Sequence, residues 1–282
     1  MSPLTEPTRL VLRRQLPVDS DAAAYIAAVE AADTAAGSPG GLESGVKFAI
    51  TNFVLCCKQD GIWNAIKASC ILAGARTLSG ALVPLVGTAP TNFNFVSGDY
   101  NRKTGLIGDG STKYLNSNRN NNADPQNSCH ISVYGTAFGP TNANPKASLG
   151  RQINGYNEKV LFATTILNSG LFSVRCQSQD PPTSHTAGRA NGLTGASRNN
   201  SSTINIRNNN ATVSASQASS SPSSSNLFVF ASSNGTLPND GGTASAFDDS
   251  RLAFYSIGES LDLAKLDARV TALINAFGAA IP

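Results

Sequence analysis

The amino-acid sequence predicts a mainly β protein with helices at both ends, whose body is a β-sandwich or jelly roll. Two apolar, alanine-rich ends enclose a long central stretch dominated by asparagine, serine, threonine and glycine. Between Gly105 and Gly258, short β-branched or aromatic runs alternate with turn-forming residues, a pattern typical of sandwiches. At both ends, apolar residues recur every three or four positions, which predicts helices.

Three helical segments are predicted before the sandwich. The first begins after an N-cap at Asp19 or the following serine and ends before the glycine-rich stretch 37–41. The second covers about 42–58 and carries an apolar stripe that needs a partner. The third, at 61–68, contains Trp63, which we expect in the core because large aromatic side chains bury much apolar area.

A final helix is predicted by a second apolar stripe, formed by Leu263, Leu266, Val270, Leu273 and Phe277. We expect this stripe to pack on the helical region at 42–68, so that the two ends form one layer beside the sandwich. The expected organisation is an N-terminal docking arm at 1–18, a helical segment at 19–90, the sandwich at 91–258 and the C-terminal helix at 259–282.

The stretch 180–225 contains few large apolar residues and is rich in serine and asparagine. It is expected to form long surface loops or narrow strands with small side chains. Within it, the strand-like run 204–206 followed by three asparagines at 208–210 predicts an outward hairpin, because asparagine tolerates left-handed backbone geometry at a turn.

Charge and hydropathy limit the partners. Charged residues make up 14% of the chain, against about 25% in typical soluble proteins, and the formal net charge is +3, so nucleic acid is not an expected partner. No apolar run approaches the roughly 20 residues that span a bilayer, and the first residues lack the features of a secretory signal. We therefore expect that the protein is made in a cytoplasm and does not insert into a membrane.

The five cysteines leave two alternatives open. All five can be reduced and mostly buried. Alternatively, Cys57 and Cys70 form a disulfide within a pair of helices, and Cys56 or Cys57 acts as an exposed tether to another molecule. The cysteine and histidine spacings match no zinc site, so no metal is expected at them.

One loop-rich region contains oxygen donors of the kind that bind calcium. Asp109, Asn116, Asn118 and Asp124 supply oxygen atoms in one loop-rich region, but their spacing matches no EF-hand. Turn formation by these side chains is the favoured alternative, so no cofactor is expected.

Three blocks of the sequence are long enough to carry a family resemblance. They are DGIWNAIKASCILAGARTLSGALVPLVGTAPTNFNFVSGDYNRKTGL at 60–106, GDGSTKYLNSNRNNNADPQNSCHISVY at 108–134 and RLAFYSIGESLDLAKLDARVTALINAF at 251–277. These blocks resemble tailed-bacteriophage virion appendage proteins, such as those of cyanophages, that carry a concanavalin A/laminin G-like jelly roll. The resemblance covers most of the chain outside the arm and the serine- and asparagine-rich stretch.

The resemblance implies a virion structural protein, in a tail fibre or baseplate appendage that contacts host surface glycan. It implies attachment to other virion proteins through the arm, assembly as a homo-oligomer, expected to be a trimer in this class of appendage, and a location in the virion. The alternative is a capsid decoration or cement protein that binds no host molecule.

Glycan cleavage is a further alternative, because concanavalin A-like folds include glycosidases. Cleavage needs two facing carboxylates, yet Glu158 is isolated in sequence, and the adjacent Asp248 and Asp249 would point to opposite faces of a strand. His185 has no carboxylate nearby in sequence, and His130 follows Cys129 directly, so that their side chains would point to opposite faces of a strand. Neither histidine is therefore expected to support nucleophilic catalysis. We therefore expect no enzyme.

A candidate sugar-binding group lies in one predicted hairpin. Arg151, Asn154, Tyr156 and Asn157 combine polar groups for sugar hydroxyls with an aromatic ring for the apolar face of a sugar. The alternative is an exposed hairpin without a ligand.

Overall fold

The computed structural model describes residues 19–139, 146–153, 156–163, 171–235 and 241–282. Residues 1–18, where the docking arm is predicted, lie outside these ranges. The described chain forms two β-sheets packed face to face, with helices covering the outer side of one sheet. The predicted fold class, a mainly β sandwich flanked by helices that pack together, is confirmed. None of the described helices is both long enough and apolar enough to cross a membrane.

The helices of the described residues follow the predicted apolar stripes. They are α1 (Ser20–Ala35), α2 (Ser44–Gln59), the short α3 (Leu78–Ala81) and α4 (Leu263–Ala280). The predicted cap of α1 is confirmed, since Asp19 Oδ1 accepts hydrogen bonds from the backbone N–H groups of Asp21 and Ala22 at 3.0 and 3.2 Å. Helices α2 and α4 pack against each other, as their stripes predict.

The strands are short and numerous. In chain order they are β1 (Ile66–Ile71), β2 (Pro84–Val86), β3 (Thr91–Phe93), β4 (Tyr100–Asn101), β5 (Gly105–Ile107), β6 (Tyr114–Asn120), β7 (Cys129–Ala137), β8 (Lys146–Ile153), β9 (Tyr156–Ala163), β10 (Leu171–Cys176), β11 (Thr183–Gly188), β12 (Gly192–Arg198), β13 (Thr203–Asn208), β14 (Ala211–Ser216), β15 (Asn226–Val229), β16 (Ser232–Gly235), β17 (Thr243–Ser245) and β18 (Arg251–Gly258).

The strands form two sheets of mostly antiparallel neighbours. In sheet A the hydrogen-bonded order is β14-β13-β12-β7-β18-β1-β2, and β5 joins β18 with β4 beside it. In sheet B the order is β11-β10-β9-β8-β15-β6-β3, and β16 runs parallel to β8 with β17 as its hairpin partner. Strands β2 and β3 therefore lie at sheet edges.

Two apolar cores lie on the two faces of sheet A. The helical core, between the helices and sheet A, includes Val46, Ile50, Phe53, Phe254, Leu266, Val270 and Phe277. The sandwich core, between the two sheets, includes Leu115, Ile131, Val133, Leu149, Phe172, Val229 and Tyr255. Neighbouring residues of β18 enter different cores, as expected for a strand whose side chains alternate between two buried faces.

The predicted third helical segment at 61–68 is wrong. A single 3-10 turn at Trp63–Ala65 leads directly into β1, which lies between β18 and β2. The sheet therefore begins at Ile66 instead of residue 91, inside the predicted helical segment 19–90. Because β1 is buried on both faces, its apolar residues show no alternation that would have marked a strand.

The predicted hairpin in the serine- and asparagine-rich stretch is confirmed. Strands β13 and β14 pair from Thr203 opposite Ser216 to Asn208 opposite Ala211. The two-residue connection has positive φ at both positions, as a type I′ turn requires, with +49° at Asn209 and +58° at its neighbour. Small polar side chains thus build narrow strands here, in agreement with one of the alternatives predicted for this stretch.

A buried carboxylate joins the helical layer to the chain that follows β1. Asp33, on α1, is 1% exposed. Its two oxygens accept hydrogen bonds from the backbone N–H groups of Arg76 and Thr77, both at 2.8 Å, and from the Thr77 hydroxyl at 2.7 Å. Since three donors depend on one side chain, its removal would leave them without their acceptor.

We therefore expect Asp33→Ala to lower the free energy of unfolding by about 3 kcal/mol. Urea denaturation followed by circular dichroism measures the change. Glu259→Ala is the matched control, because that carboxylate is 43% exposed in a surface ion pair with Lys67 and should cost less than about 1 kcal/mol. Equal losses in the two variants would contradict the role assigned to Asp33.

Candidate functional site

Four aromatic side chains form a row on the outer face of sheet B. Phe93 stacks on Tyr114 with ring centroids 4.4 Å apart and planes 4° apart. Tyr114 also contacts Phe228 at 4.8 Å and Phe247 at 6.1 Å between centroids. We call Phe93, Tyr114, Phe228 and Phe247 the aromatic row.

Strand alternation places this row on the outside. Leu115 and Val229 point into the sandwich core. Their sequence neighbours Tyr114 and Phe228 therefore point to the opposite face of sheet B. Strand β3 pairs with β6 so that Phe93 lies directly opposite Tyr114, which explains the close stacking.

The row is buried at its base and open at one end. Phe228 is 4% exposed, whereas Phe93, on the edge strand β3, is 37% exposed. One face of the Phe93 ring stacks on Tyr114, and the other face points away from Tyr114 at the edge of the sheet. An exposed ring on a fixed base offers a flat apolar surface for a ligand to pack on.

Fixed polar groups surround the open end of the row. Asn118 Nδ2 donates hydrogen bonds to Ala89 O at 2.8 Å and to Thr91 Oγ1 at 3.0 Å. Asn94 Nδ2 donates to Thr112 O at 2.9 Å. Both asparagines have left-handed backbone geometry, with φ of +54° and +67°, and both are exposed. Amides and a hydroxyl held beside an exposed ring are the groups that bind hydroxyl-rich, partly apolar ligands.

The prediction that Arg151 contributes to an exposed sugar-binding hairpin is wrong. Arg151 is completely buried, and its Nη1 lies 3.3 Å from Ser233 Oγ on β16. Asn154 lies outside the described residues, while Tyr156 and Asn157 are in β9, paired with β8. Strand β8 runs inside sheet B, with β15 and β16 packed beside it, so Arg151 is enclosed instead of facing solvent.

The residues considered for calcium serve separate local roles. Asp109 Oδ1 accepts hydrogen bonds from three backbone N–H groups of the turn that follows it. Burial raises the pKa of Asp109, but hydrogen bonds from the Thr112 hydroxyl and the turn outweigh burial and lower the pKa below its ordinary value. Asn116 accepts from the backbone of Asn118, and Asp124 is buried beside an arginine. Among the described residues, no cluster of three or more metal-binding side chains is formed.

The adjacent carboxylates Asp248 and Asp249 are both held in ion pairs. Asp248 is fully buried and accepts from Arg189 Nη1 at 3.0 Å, whereas Asp249 pairs with Lys146 Nζ at 2.6 Å. Burial raises the pKa of Asp248, but the charge and hydrogen bonds of Arg189 outweigh it, and the pKa is lowered. The two residues lie in an irregular segment and not, as predicted, in a strand. Glu158, the third carboxylate considered, lies in β9.

The predicted Cys57–Cys70 bond is wrong. Both residues are free thiols, and Cys57 lies in the helical core while Cys70 lies in the sandwich core, on the other face of sheet A. Burial raises the pKa of each thiol to about 12. The structure thus favours the other alternative, in which these cysteines are reduced and buried, because residues 66–71 form a strand and not part of a helical pair. Cys56 is half-buried, with Sγ 3.7 Å from Asn52 Oδ1, so it is the member of the predicted pair of tether residues that solvent can reach.

Trp63 packs against the helical core, as predicted, but at its edge, where it also lines a second surface feature. It is half-buried and borders two cavities. One of about 410 Å³ lies between α1 and the edge strand β2, and one of about 360 Å³ lies beside Lys58 at the end of α2. Its indole N–H donates to Asp21 Oδ2 at 3.1 Å, and Lys58 Nζ lies 5.7 Å from the ring centre. Because the protein itself occupies the polar group and one ring face, Trp63 offers less to a ligand than Phe93 does.

No family model and no curated protein sequence matches the chain. Among solved structures, a Trypanosoma rangeli sialidase in complex with 2,3-difluorosialic acid aligns at 10% identity over 82% of this chain and 40% of the sialidase, with a TM-score of 0.41. The binding domain of botulinum neurotoxin serotype D aligns at 10% identity over 74% of this chain and 50% of the domain, with a TM-score of 0.45. The chain thus spans half or less of these structures, and no conclusion about ligand or activity follows from them.

The two histidines are enclosed by structural contacts. The ring nitrogens of His130 lie 2.5 Å from Glu259 O and 2.7 Å from Ser256 Oγ, and its side chain is fully buried. Burial lowers the pKa of His130 from 6.5 to about 4. His185 is also buried, and its Nδ1 accepts from the backbone N–H of Ala187 at 3.2 Å.

The buried His130 predicts a loss of stability in acid. An unfolded chain takes up its proton near pH 6.5 and the folded protein near pH 4, so stability is complete above pH 6.5 and falls by about 3 kcal/mol as the pH drops to 4. Urea denaturation at several pH values measures this slope. His130→Gln should flatten the slope in that window, and an unchanged slope would contradict the assignment.

Proposed function

We propose that this chain is a bacteriophage virion structural protein, part of a tail fibre or baseplate appendage, that binds host surface glycan at the open end of the aromatic row. The observation that carries the glycan proposal is the exposed Phe93 ring, stacked on Tyr114 and bordered by the fixed side chains of Asn94 and Asn118. A sugar ring has an apolar face for the phenyl group and hydroxyls for the amides. The sequence blocks described above support the virion part of the proposal.

The proposed activity is binding without cleavage. Glycoside hydrolysis requires a carboxylic acid and a carboxylate that face each other across the sugar, about 5 to 9.5 Å apart. Asp248 and Asp249 instead bind separate cations, Arg189 and Lys146. Charge neutralised in this way stabilises the fold and leaves neither carboxylate directed at a ligand.

The assembly is also part of the proposal. Residues 1–18 attach the chain to other virion proteins, and three copies associate to form the appendage. Cys56 is the residue suited to a covalent tether, because it is half-buried on α2, in the helical layer, which lies on the opposite side of the sandwich from the aromatic row. The proposed site therefore remains open when the helical layer is attached.

Phe93→Ala should weaken glycan binding at least about tenfold, since it removes the stacking surface. Binding partners are first selected on an array of bacterial polysaccharides and defined neutral oligosaccharides, and their affinities are then measured by calorimetry. Phe48→Ala is the matched control: Phe48 is 55% exposed but lies on α2, in the helical layer. The glycan affinity of the Phe48→Ala variant should equal that of the wild type.

Both variants alter exposed rings, so their melting temperatures should stay within about 3 °C of the wild type. A wild-type protein that binds no glycan on the array would contradict the proposed function. Loss of binding in Trp63→Ala, with normal binding in Phe93→Ala, would move the site to the groove beside α1.

Immunogold labelling tests the proposed location. An antibody raised against the recombinant chain should label the tail end of intact virions that carry it. Label spread over the head would instead support the alternative function as a capsid decoration or cement protein. Absence of label from purified virions that react on an immunoblot for a known capsid protein would contradict both locations.

A further inference from the structure

Two cysteines face each other across the sandwich core. Cys129 begins β7 in sheet A, and Cys176 ends β10 in sheet B, so both lie at the same end of the sandwich. Their Sγ atoms are 3.5 Å apart, and both side chains are fully buried. The two residues are separated by 47 positions in sequence. Neither residue belongs to the cysteine set singled out by the sequence, and the proposed glycan site does not use them.

The distance between the two sulfurs suits bond formation. A disulfide bond is about 2.05 Å long, so the sulfurs need to approach by roughly 1.5 Å. Side-chain rotation with a small strand adjustment supplies such a movement. Because the thiols lie in opposite sheets, a bond between them would connect the two halves of the sandwich directly.

The surroundings favour a thiolate at this position. Lys159 and Arg198 are buried cations close to the pair, and Arg198 Nε donates to the backbone oxygen of Cys176 at 2.8 Å. The hydrogen bond from the Cys176 thiol lowers the pKa of Cys129, and the two cations lower it further, against the opposing effect of burial. A cysteine beside cations is more reactive than one in purely apolar surroundings.

We propose that Cys129 and Cys176 form an intramolecular disulfide when the protein meets a small peroxide oxidant such as hydrogen peroxide. The Cys129 thiolate attacks one peroxide oxygen, the O–O bond breaks, and the products are a sulfenic acid and, after proton uptake, water. The Cys176 sulfur then attacks the sulfenic sulfur, the S–O bond breaks, and a second water leaves with the Cys176 proton. Two thiols thus lose two electrons and two protons, and one peroxide becomes two waters.

The bond would link the two sheets covalently and stabilise the sandwich. It closes a loop of 47 residues, which restricts the unfolded chain and raises the melting temperature by on the order of 10 °C. The effect is independent of glycan binding, because the aromatic row lies on the outer face of sheet B.

Hydrogen peroxide treatment of the purified full chain tests the proposal. The expected product is a monomer lighter by two hydrogen atoms, with one peptide pair joining Cys129 to Cys176 in a non-reducing digest. Its melting temperature should rise, and dithiothreitol should reverse both changes. Cys57→Ser is the matched control for a buried thiol and should form the bond normally, whereas Cys129→Ser and Cys176→Ser should not.

Peptide mapping of the wild-type chain keeps the test valid even when a serine variant fails to fold. Addition of oxygen atoms at Cys129 without a crosslink would overturn the proposal. Retention of both thiols under conditions that oxidise the half-buried Cys56 would overturn it as well.

Discussion

Sheet A is buried on both faces, and the rest of the structure depends on that burial. Adjacent residues of β18 serve the two cores, since Phe254 packs under the helices and Tyr255 packs between the sheets. Without α2 and α4, the outer face of sheet A would expose a large apolar area to water. Sheet B has no helical cover over its outer face in the described chain, so the Phe93 end of the aromatic row stays exposed to solvent.

The chain has few charged residues, yet some of its cationic side chains lie in the interior. Arg198 and Lys159 are both fully buried, a costly placement unless every donor finds an acceptor. Arg198 donates to the backbone oxygens of Cys176 and Gln217, both at 2.8 Å, and Lys159 donates to Asn121 O at 3.2 Å. Gln217 lies in the serine- and asparagine-rich stretch 180–225, so this stretch supplies a backbone acceptor to the interior as well as polar groups to the surface.

The sequence predicts those parts of the fold that depend on interactions between residues close together in the chain. The stripe of α4 and the left-handed turn at Asn209 are both readable from a few neighbouring residues. The sequence predicts a helix over the start of β1, because burial on two faces removes the alternation that marks a strand. It predicts an exposed Arg151 because the enclosure of this residue depends on β16, which is distant in sequence. The aromatic row follows from alternation at Tyr114, but its assembly requires the pairing of β3, β6 and β15, which no local pattern contains.

The position of β18 between β1 and β7 governs the order in which the protein can be made. Tyr255 of β18 contacts Cys70 of β1, which precedes it by 185 residues. During synthesis, the edge of β1 that pairs with β18 therefore stays uncovered until most of the chain has left the ribosome. Long-range pairing of this kind slows folding, and an uncovered edge invites association with other chains. This topology therefore leaves one edge of β1 unpaired in the growing chain until β18 has been made.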